Sequence, residues 1–252
     1  MHRIAGGFLR ALVVTAVLVA LWQAIVVVFR PPAFMLPPPL DVARMLVERP
    51  DLWQRHAVTT LIETVAGLAL GATVGVLLAL AMSLVPTLRR FLLPTMAASQ
   101  AVPVFALAPL LTLWLGFGIT SKVVMAAVAI FFPVASAFAD GLARVDQGLI
   151  DLARLNRARP WQIVLLIRVP GALPGLATGL RLAAVYAPVG AMIGEWAGAS
   201  SGLGYAMLLA NARAQTDVMF AALLLLAVMA VVLRALTDMA TARLAPWAAE
   251  TR

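Results

Sequence analysis

The sequence has no cysteine, one lysine (Lys122), two histidines and two tyrosines, and only 12% of its 252 residues are charged. Without cysteine there is no disulfide framework, no thiolate nucleophile and no sulfur-ligated metal. His2 and His56 are too few and too far apart in sequence for a histidine metal cluster or a histidine-based triad. A phosphate-binding loop needs a lysine after a glycine-rich turn, in the pattern G-x-x-x-x-G-K. Lys122 follows Gly-Phe-Gly-Ile-Thr-Ser, which does not fit. The chain is therefore expected to be no enzyme, to hold no cofactor or metal, and to take any energy from a partner or an ion gradient.

What fills the chain is apolar. It is 63% hydrophobic with a mean hydropathy of +0.99, whereas a soluble domain is nearer half apolar and a quarter charged. This predicts an all-α integral membrane protein with about six transmembrane helices. The formal charge of +8 then reads first as a topology signal, because cytoplasmic loops collect basic residues.

The expected spans are Ala11–Phe29, Thr64–Leu88, part of Phe91–Ser121, Val123–Ala139, Val169–Gly194 and Val218 to about Thr237. Arg3 and Arg10 precede the first, and no small-residue cleavage site follows it, so it reads as a retained span. Between it and the second lies a proline-rich connection, Pro31 to Pro39, with a short interfacial helix over Asp41–Glu48 capped by Asp41. Gly67, Gly71 and Gly75 recur every fourth residue, a spacing that lets a neighbouring helix approach closely in lipid. Pro94, Pro103 and Pro109 predict a kinked helix with an outer loop at Gly116–Lys122, and Pro133 a break or bend in the fourth span. Basic residues favour the inner side about two to one: Arg89, Arg90, Arg144, Arg154, Arg157, Arg159, Arg168, Arg234, Arg243, Arg252 and the two N-terminal arginines, against Arg30, Arg44, Arg49, Arg55, Lys122 and Arg213. Both termini are thus expected in the cytoplasm of a multi-pass plasma-membrane protein.

Charges inside the spans are sparse. An arginine at mid-span is costly, so Arg181 should face a polar cavity or a helix interface. Glu195 closes the same span and reads either as pore-facing or as an interfacial carboxylate, and Asp217 as a cap on the last span.

One stretch departs from this pattern. Asp140–Pro174 carries five arginines, and Leu142, Val145, Leu149, Leu152 and Ala153 recur at helical spacing. The pattern is an amphipathic helix, a turn through Asn156 and Arg157, and a second short helix from Pro160.

In this stretch, Asp151-Leu152-Ala153-Arg154, Ala158, Trp161-Gln162-Ile163 and Arg168-Val169-Pro170-Gly171-Ala172-Leu173-Pro174 match a known pattern. So do Ala108-Pro109-Leu110, Phe117-Gly118, Phe131-Phe132-Pro133, Gly179-Leu180-Arg181, Gly194-Glu195-Trp196 and Gly202-Leu203-Gly204-Tyr205. Together they resemble the permease subunits of bacterial ATP-binding-cassette (ABC) importers of the nitrate, sulfonate and taurine type, over about residues 57–240. The resemblance implies a type I importer fold: an N-terminal span and connection (1–56), the transmembrane domain (57–240) with a coupling loop at 140–174, and a cytoplasmic tail (241–252). It implies that Asp151, Ala153, Arg154, Asn156, Arg157, Ala158 and Trp161 dock on a separate ATPase subunit, which binds the ATP. It also implies a second permease copy and a periplasmic or lipid-anchored solute-binding protein; the candidates for the translocation path are Arg181 and Glu195, from their positions in the fifth span. Residues 194–223 look closest to the branch that imports thiamine-precursor pyrimidines such as hydroxymethylpyrimidine; a sulfonate-type solute is the alternative, and Arg181 would suit it. Two positions depart from the family: Asp151 stands for the usual glutamate, and Arg157 for a glycine. Arginine resists the positive φ that such a glycine supplies, so Asn156 is expected to take over that geometry. An ion-coupled secondary transporter remains a further reading, with Gly67/Gly71/Gly75 and Gly171/Gly175/Gly179 as a faint repeat.

Overall fold

Long uncharged runs have one economical solution in lipid, which is to satisfy their backbone groups internally as helices. In a computed structural model, which describes the backbone of residues 2–244 and the side chains of residues 13–244, the described residues form helices and no strand. In chain order they are α1 (His2–Phe29), α2 (Pro39–Glu48), α3 (Pro50–Leu84), α4 (Pro86–Ser99), α5 (Val104–Leu115), α6 (Ile119–Ala143), α7 (Gln147–Leu155), α8 (Pro160–Ile163), a π turn (Val164–Arg168), α9 (Val169–Trp196), α10 (Leu203–Ala212) and α11 (Thr216–Ala242). Arg3, Arg10 and Arg252 fall outside the described side chains.

Four single helices are long and apolar enough to cross a membrane: α3, α6, the stretch from α8 through α9, and α11. The α4–α5 pair makes a fifth crossing if its two halves are taken together, and α1 adds the apolar stretch Val13–Phe29. The expected all-α membrane fold is observed.

Helix α6 is the axis. It packs against α3 on one side and α9 on the other, and glycines on both neighbours allow the approach. A Cβ on Gly71 would press on Ile130 and the Ala127 carbonyl, and one on Gly75 on the Phe131 carbonyl. On the other side, Gly175 meets the Ala137 carbonyl and Gly179 the Pro133 carbonyl. Gly67, Gly71 and Gly75 on one side and Gly175 and Gly179 on the other thus serve the same helix, as the spacing predicts for packing, and the shared period has a cause other than an inverted repeat.

Several expectations are corrected. Helix α3 starts at Pro50, well before Thr64, because the Trp53, His56, Thr60 and Glu63 side chains are buried against the bundle and not left to water. Pro133 neither breaks nor ends α6; lipid-buried helices tolerate proline where neighbouring helices pack on the site, and α9 approaches closely there at Gly179. The Phe91–Ser121 run, by contrast, is broken and not merely kinked. Its halves meet at 97° across residues 100–103, with Pro103 starting the second half. Asp41 is not the cap of α2, whose N-cap is Pro38, and Asp217 lies in the first turn of α11 behind the N-cap Gln215. Both carboxylates still face a positive helix end, where they contribute a few tenths of a kcal/mol, roughly.

Candidate functional site

The bundle has two ends, and each concentrates polar residues. The end formed by the close of α6 and the start of α9 carries the arginine-rich segment, which runs from Arg144 to Arg168; Asp140–Ala143 belong to α6 and Val169–Pro174 to α9. Asp146 starts α7 by accepting from the Gly148 and Leu149 amides at 2.7 and 3.2 Å. Ile150 faces the bundle and is buried, while Leu149, Leu152 and Leu155 are exposed, Leu155 at 82%. Asp151 and Arg154 pair at 3.0 Å on the exposed surface, and Trp161 is half exposed. An apolar cleft of about 580 Å³, lined by Leu149, Leu152, Leu166 and Pro170 among others, separates α7 from the start of α9.

The turn after α7 is a Schellman motif. Ala158 N–H reaches back to the Ala153 carbonyl at 3.0 Å and Arg157 N–H to the Arg154 carbonyl at 2.9 Å. The residue at its centre is Arg157, with φ +57°. Asn156, at φ −82°, does not take over that geometry as expected; its side chain instead donates to the Leu152 carbonyl at 2.9 Å. Two backbone bonds and the Asn156 bond hold the arginine in a region that costs it roughly 1 kcal/mol. Gln162 then accepts from the Arg159 amide at 2.7 Å and sets the start of α8. The π turn leads into α9 without a break, so the segment is continuous with a span.

The opposite end is organised around the N-terminus of α10. Four consecutive amides there are satisfied by side chains from other helices: Gly202 by His56 Nδ1 at 3.0 Å, Leu203 by Thr60 Oγ1 at 2.8 Å, and Gly204 and Tyr205 by Glu195 Oε2. Thr60 also donates to Glu195 Oε1 at 2.6 Å. The positive end of α10 thus meets a carboxylate, as helix electrostatics favours. Gly202 has φ +120° and lies against the Glu195 carboxylate, where any side chain would collide. Lys122, expected in an outer loop, is 1% exposed on the first turn of α6. Its ammonium donates to the Phe117 and Gly198 carbonyls at 2.7 and 2.9 Å, just past the C-termini of α5 and α9. A cation there satisfies orphan carbonyls at two negative helix ends.

Glu195 is fully buried, with its carboxylate at the α10 N-terminus and not on an open surface. Glu63, 3% exposed, adjoins it, with one carboxyl oxygen lacking a hydrogen-bond partner among the described residues. The expectation that carboxylates are nearly absent from the spans therefore misses Glu63. Arg181 lies in the other half of the bundle, 2.7 Å from Asp238. The contact is an ion pair by distance, though the Nε–H does not point along it. Asp238 also accepts from Arg234 at 3.0 Å, so one carboxylate answers two arginines. The structure does not bring Arg181 and Glu195 together.

This architecture agrees with a family match. Residues 71–249 fit the family described as "binding-protein-dependent transport system inner membrane component". The chain belongs to that family. A Haemophilus influenzae protein described as a "probable ABC transporter permease protein" is 44% identical over 218 residues, covering 86% of this chain and 89% of that one. The formylaminopyrimidine transport permease ThiX of Halalkalibacterium halodurans is 37% identical over 68% of this chain and 69% of its own. The riboflavin transport permease RibX of Chloroflexus aurantiacus is 34% identical over 92% and 87%. The permease of the MetNI methionine ABC transporter shares the fold, with a TM-score of 0.68 at 21% identity over 77% of this chain and 96% of that one. This permease is accordingly a multi-pass inner-membrane component of an ABC importer, a transport subunit and not an enzyme, and its family works with an ATPase and a solute-binding protein. The motifs Gly194-Glu195-Trp196 and Gly202-Leu203-Gly204-Tyr205 gain a physical meaning in it: together they build the shared cap of α10.

Proposed function

We propose that this permease docks on its ATPase subunit through α7 and the turn behind it, with Asp151, Ala153, Arg154, Asn156, Arg157, Ala158 and Trp161 in the contact. The carrying observation is a short helix with three exposed leucines and an internally paired charged side, set in the chain between α6 and the run of α8, π turn and α9. A leucine face of that kind fits a groove on a protein partner. Closure of two ATPases, which bind the ATP, pushes α7, and the continuous π turn and α9 pass the movement into the membrane. Two permease copies enclose the path, with the segment and both termini on the cytoplasmic side, as the charge bias supports. Residues 57–240 form the transmembrane domain in this reading. In the full transporter, Leu152→Arg with Leu155→Arg is expected to abolish ATP-dependent uptake and co-purification with the ATPase. Retention of both sinks the proposal.

For the solute, a thiamine-precursor pyrimidine is the reading with most support, since ThiX carries that chemistry in its name. RibX, named for another planar nitrogen heterocycle, points to neighbouring chemistry. Sulfonate-type solutes remain the alternative; Arg181, which would suit them, already pairs with Asp238 and adds no separate support. Glu195 supports the path from behind, as part of the α10 cap, and does not line it. Uptake of labelled hydroxymethylpyrimidine against labelled taurine, with the cognate binding protein present, separates the two; taurine uptake alone overturns the pyrimidine reading.

A further inference from the structure

At the segment-bearing end, the close of α3, the start of α4, the close of α6 and the π turn surround a pocket of about 560 Å³. Its lining includes Arg89, Arg90, Arg168 and Ser83 over a floor of Met82 and Leu142, and no carboxylate. The π turn ends on Arg168 and brings its guanidinium to this wall; such turns often mark functional positions. Arg168 Nη1 reaches Ser83 Oγ at 3.4 Å, while its buried Nε has no hydrogen-bond partner among the described residues. Among the described residues the one carboxylate within 4 Å of these guanidiniums is Asp140, 3.9 Å from Arg89 and beyond a direct hydrogen bond. Three guanidiniums against one carboxylate leave a local excess of two positive charges. Like charges gathered around an apolar floor repel one another unless an anion joins them.

We infer that this pocket binds a phosphate group, held by the forks of Arg168, Arg89 and Arg90 and by the Ser83 hydroxyl. Planar guanidinium donors match phosphate oxygens in pairs, which a point cation does not. The depth is right as well: from Lys122 to the close of α6 is about 30 Å of helix, the thickness of the hydrocarbon layer. The phosphate comes either from an anionic lipid headgroup, its chains along Met82 and Leu93, or from a soluble phosphate. The assignment does not depend on how α7 engages its partner.

The test uses the purified full chain in detergent, with thermal unfolding followed by tryptophan fluorescence. It is titrated in one arm with dioctanoyl phosphatidylglycerol and in the other with inorganic phosphate. A saturable rise in unfolding temperature is expected in at least one arm. A rise with the lipid alone assigns a headgroup; a rise in both, or with inorganic phosphate alone, assigns the free group. Arg168→Gln is expected to raise the half-saturating concentration roughly tenfold or more, the loss of a charge-assisted hydrogen bond. Should that variant not fold, Arg90→Gln at the exposed rim replaces it, with about a fivefold weakening expected. Arg144→Gln, on the same end but outside the lining, should bind as the parent does. No saturable rise in either arm, or unchanged half-saturation in the folded pocket variant, overturns the assignment.

Discussion

The two ends of the bundle use polar residues in opposite ways. At the α10 end, His56, Thr60, Glu195 and Lys122 are buried and spend their hydrogen bonds on helix termini inside the chain. Along α7 and the turn behind it, Arg154, Arg157, Arg159 and the three leucines stay at the surface, with the exposed pair Asp151–Arg154 among them. A buried polar network fixes one arrangement of helices, because any departure strands charged groups in a low dielectric. An exposed amphipathic face does little for the isolated chain and waits for a partner. The first end is built for uniqueness of fold, the second for recognition. Substitutions at the two ends should therefore separate stability from coupling.

The largest effect is expected at Glu195. Glu195→Ala strands the Gly204 and Tyr205 amides and the Thr60 hydroxyl together, at a cost of about 3–5 kcal/mol. Thermal unfolding in detergent measures it, and Glu195→Gln should recover part, since an amide oxygen still accepts. A shift near zero for Glu195→Ala would break the contrast at its stronger side. Gly202→Ala comes next. Its φ of +120° and the Glu195 carboxylate at the site of the new Cβ together cost roughly 2–4 kcal/mol. The lost stability should appear without any change in a separately assayed affinity for the ATPase in the surviving folded fraction.

At the other end the order reverses. Leu152→Ser with Leu155→Ser should move unfolding by no more than about 0.5 kcal/mol per site, because exposed positions seldom matter more. Association with the ATPase, read by co-purification or by stimulation of ATP hydrolysis, should fall by roughly tenfold or more, as for loss of an interface anchor. Asp151→Lys replaces the 3.0 Å pair with a like-charge contact to Arg154, again worth at most about 0.5 kcal/mol in stability. It should still weaken uptake in the assembled transporter. If these variants unfold the chain, the segment is part of the core and not a lever.

What the sequence discloses divides along the same line. The glycine series facing α6, the short helix with its leucine stripe and the second helix from Pro160 are periodic features, and period is local information. The α10 cap is not local. Thr60 and Glu195 stand 135 residues apart, and Lys122 and Gly198 stand 76 apart, so nothing near Lys122 in sequence marks it as a plug for two helix ends. Composition alone puts a lysine after a glycine-rich stretch in a loop. Glu63 escapes for a similar reason: it lies just before an uncharged run, and only the fold shows that α3 has begun earlier and buried it. Arg181 could have been read further, because Arg234 and Asp238 are four apart and make a helical pair that a third helix can join.

The smallest expected effect tests one turn at both ends. Ala214, after α10, repeats the geometry of Arg157: φ is +53°, Gln215 N–H reaches the Ala210 carbonyl and Ala214 N–H the Asn211 carbonyl. Each is a Schellman turn with a residue other than glycine at its centre. Arg157→Gly and Ala214→Gly relieve about 1 kcal/mol of left-handed strain but add a comparable entropy to the unfolded chain. Both should therefore change unfolding by less than about 0.5 kcal/mol, and Arg157→Gly should leave coupling intact. Proline at either position is a different matter, since it fixes φ near −65° and removes the amide that closes the turn. Ala214→Pro should lower the unfolding temperature through the α10–α11 junction. Arg157→Pro should spare it and uncouple uptake from ATP hydrolysis, because the turn after α7 bears on the partner more than on the bundle. Equal losses of stability from the two prolines would erase the distinction between the ends.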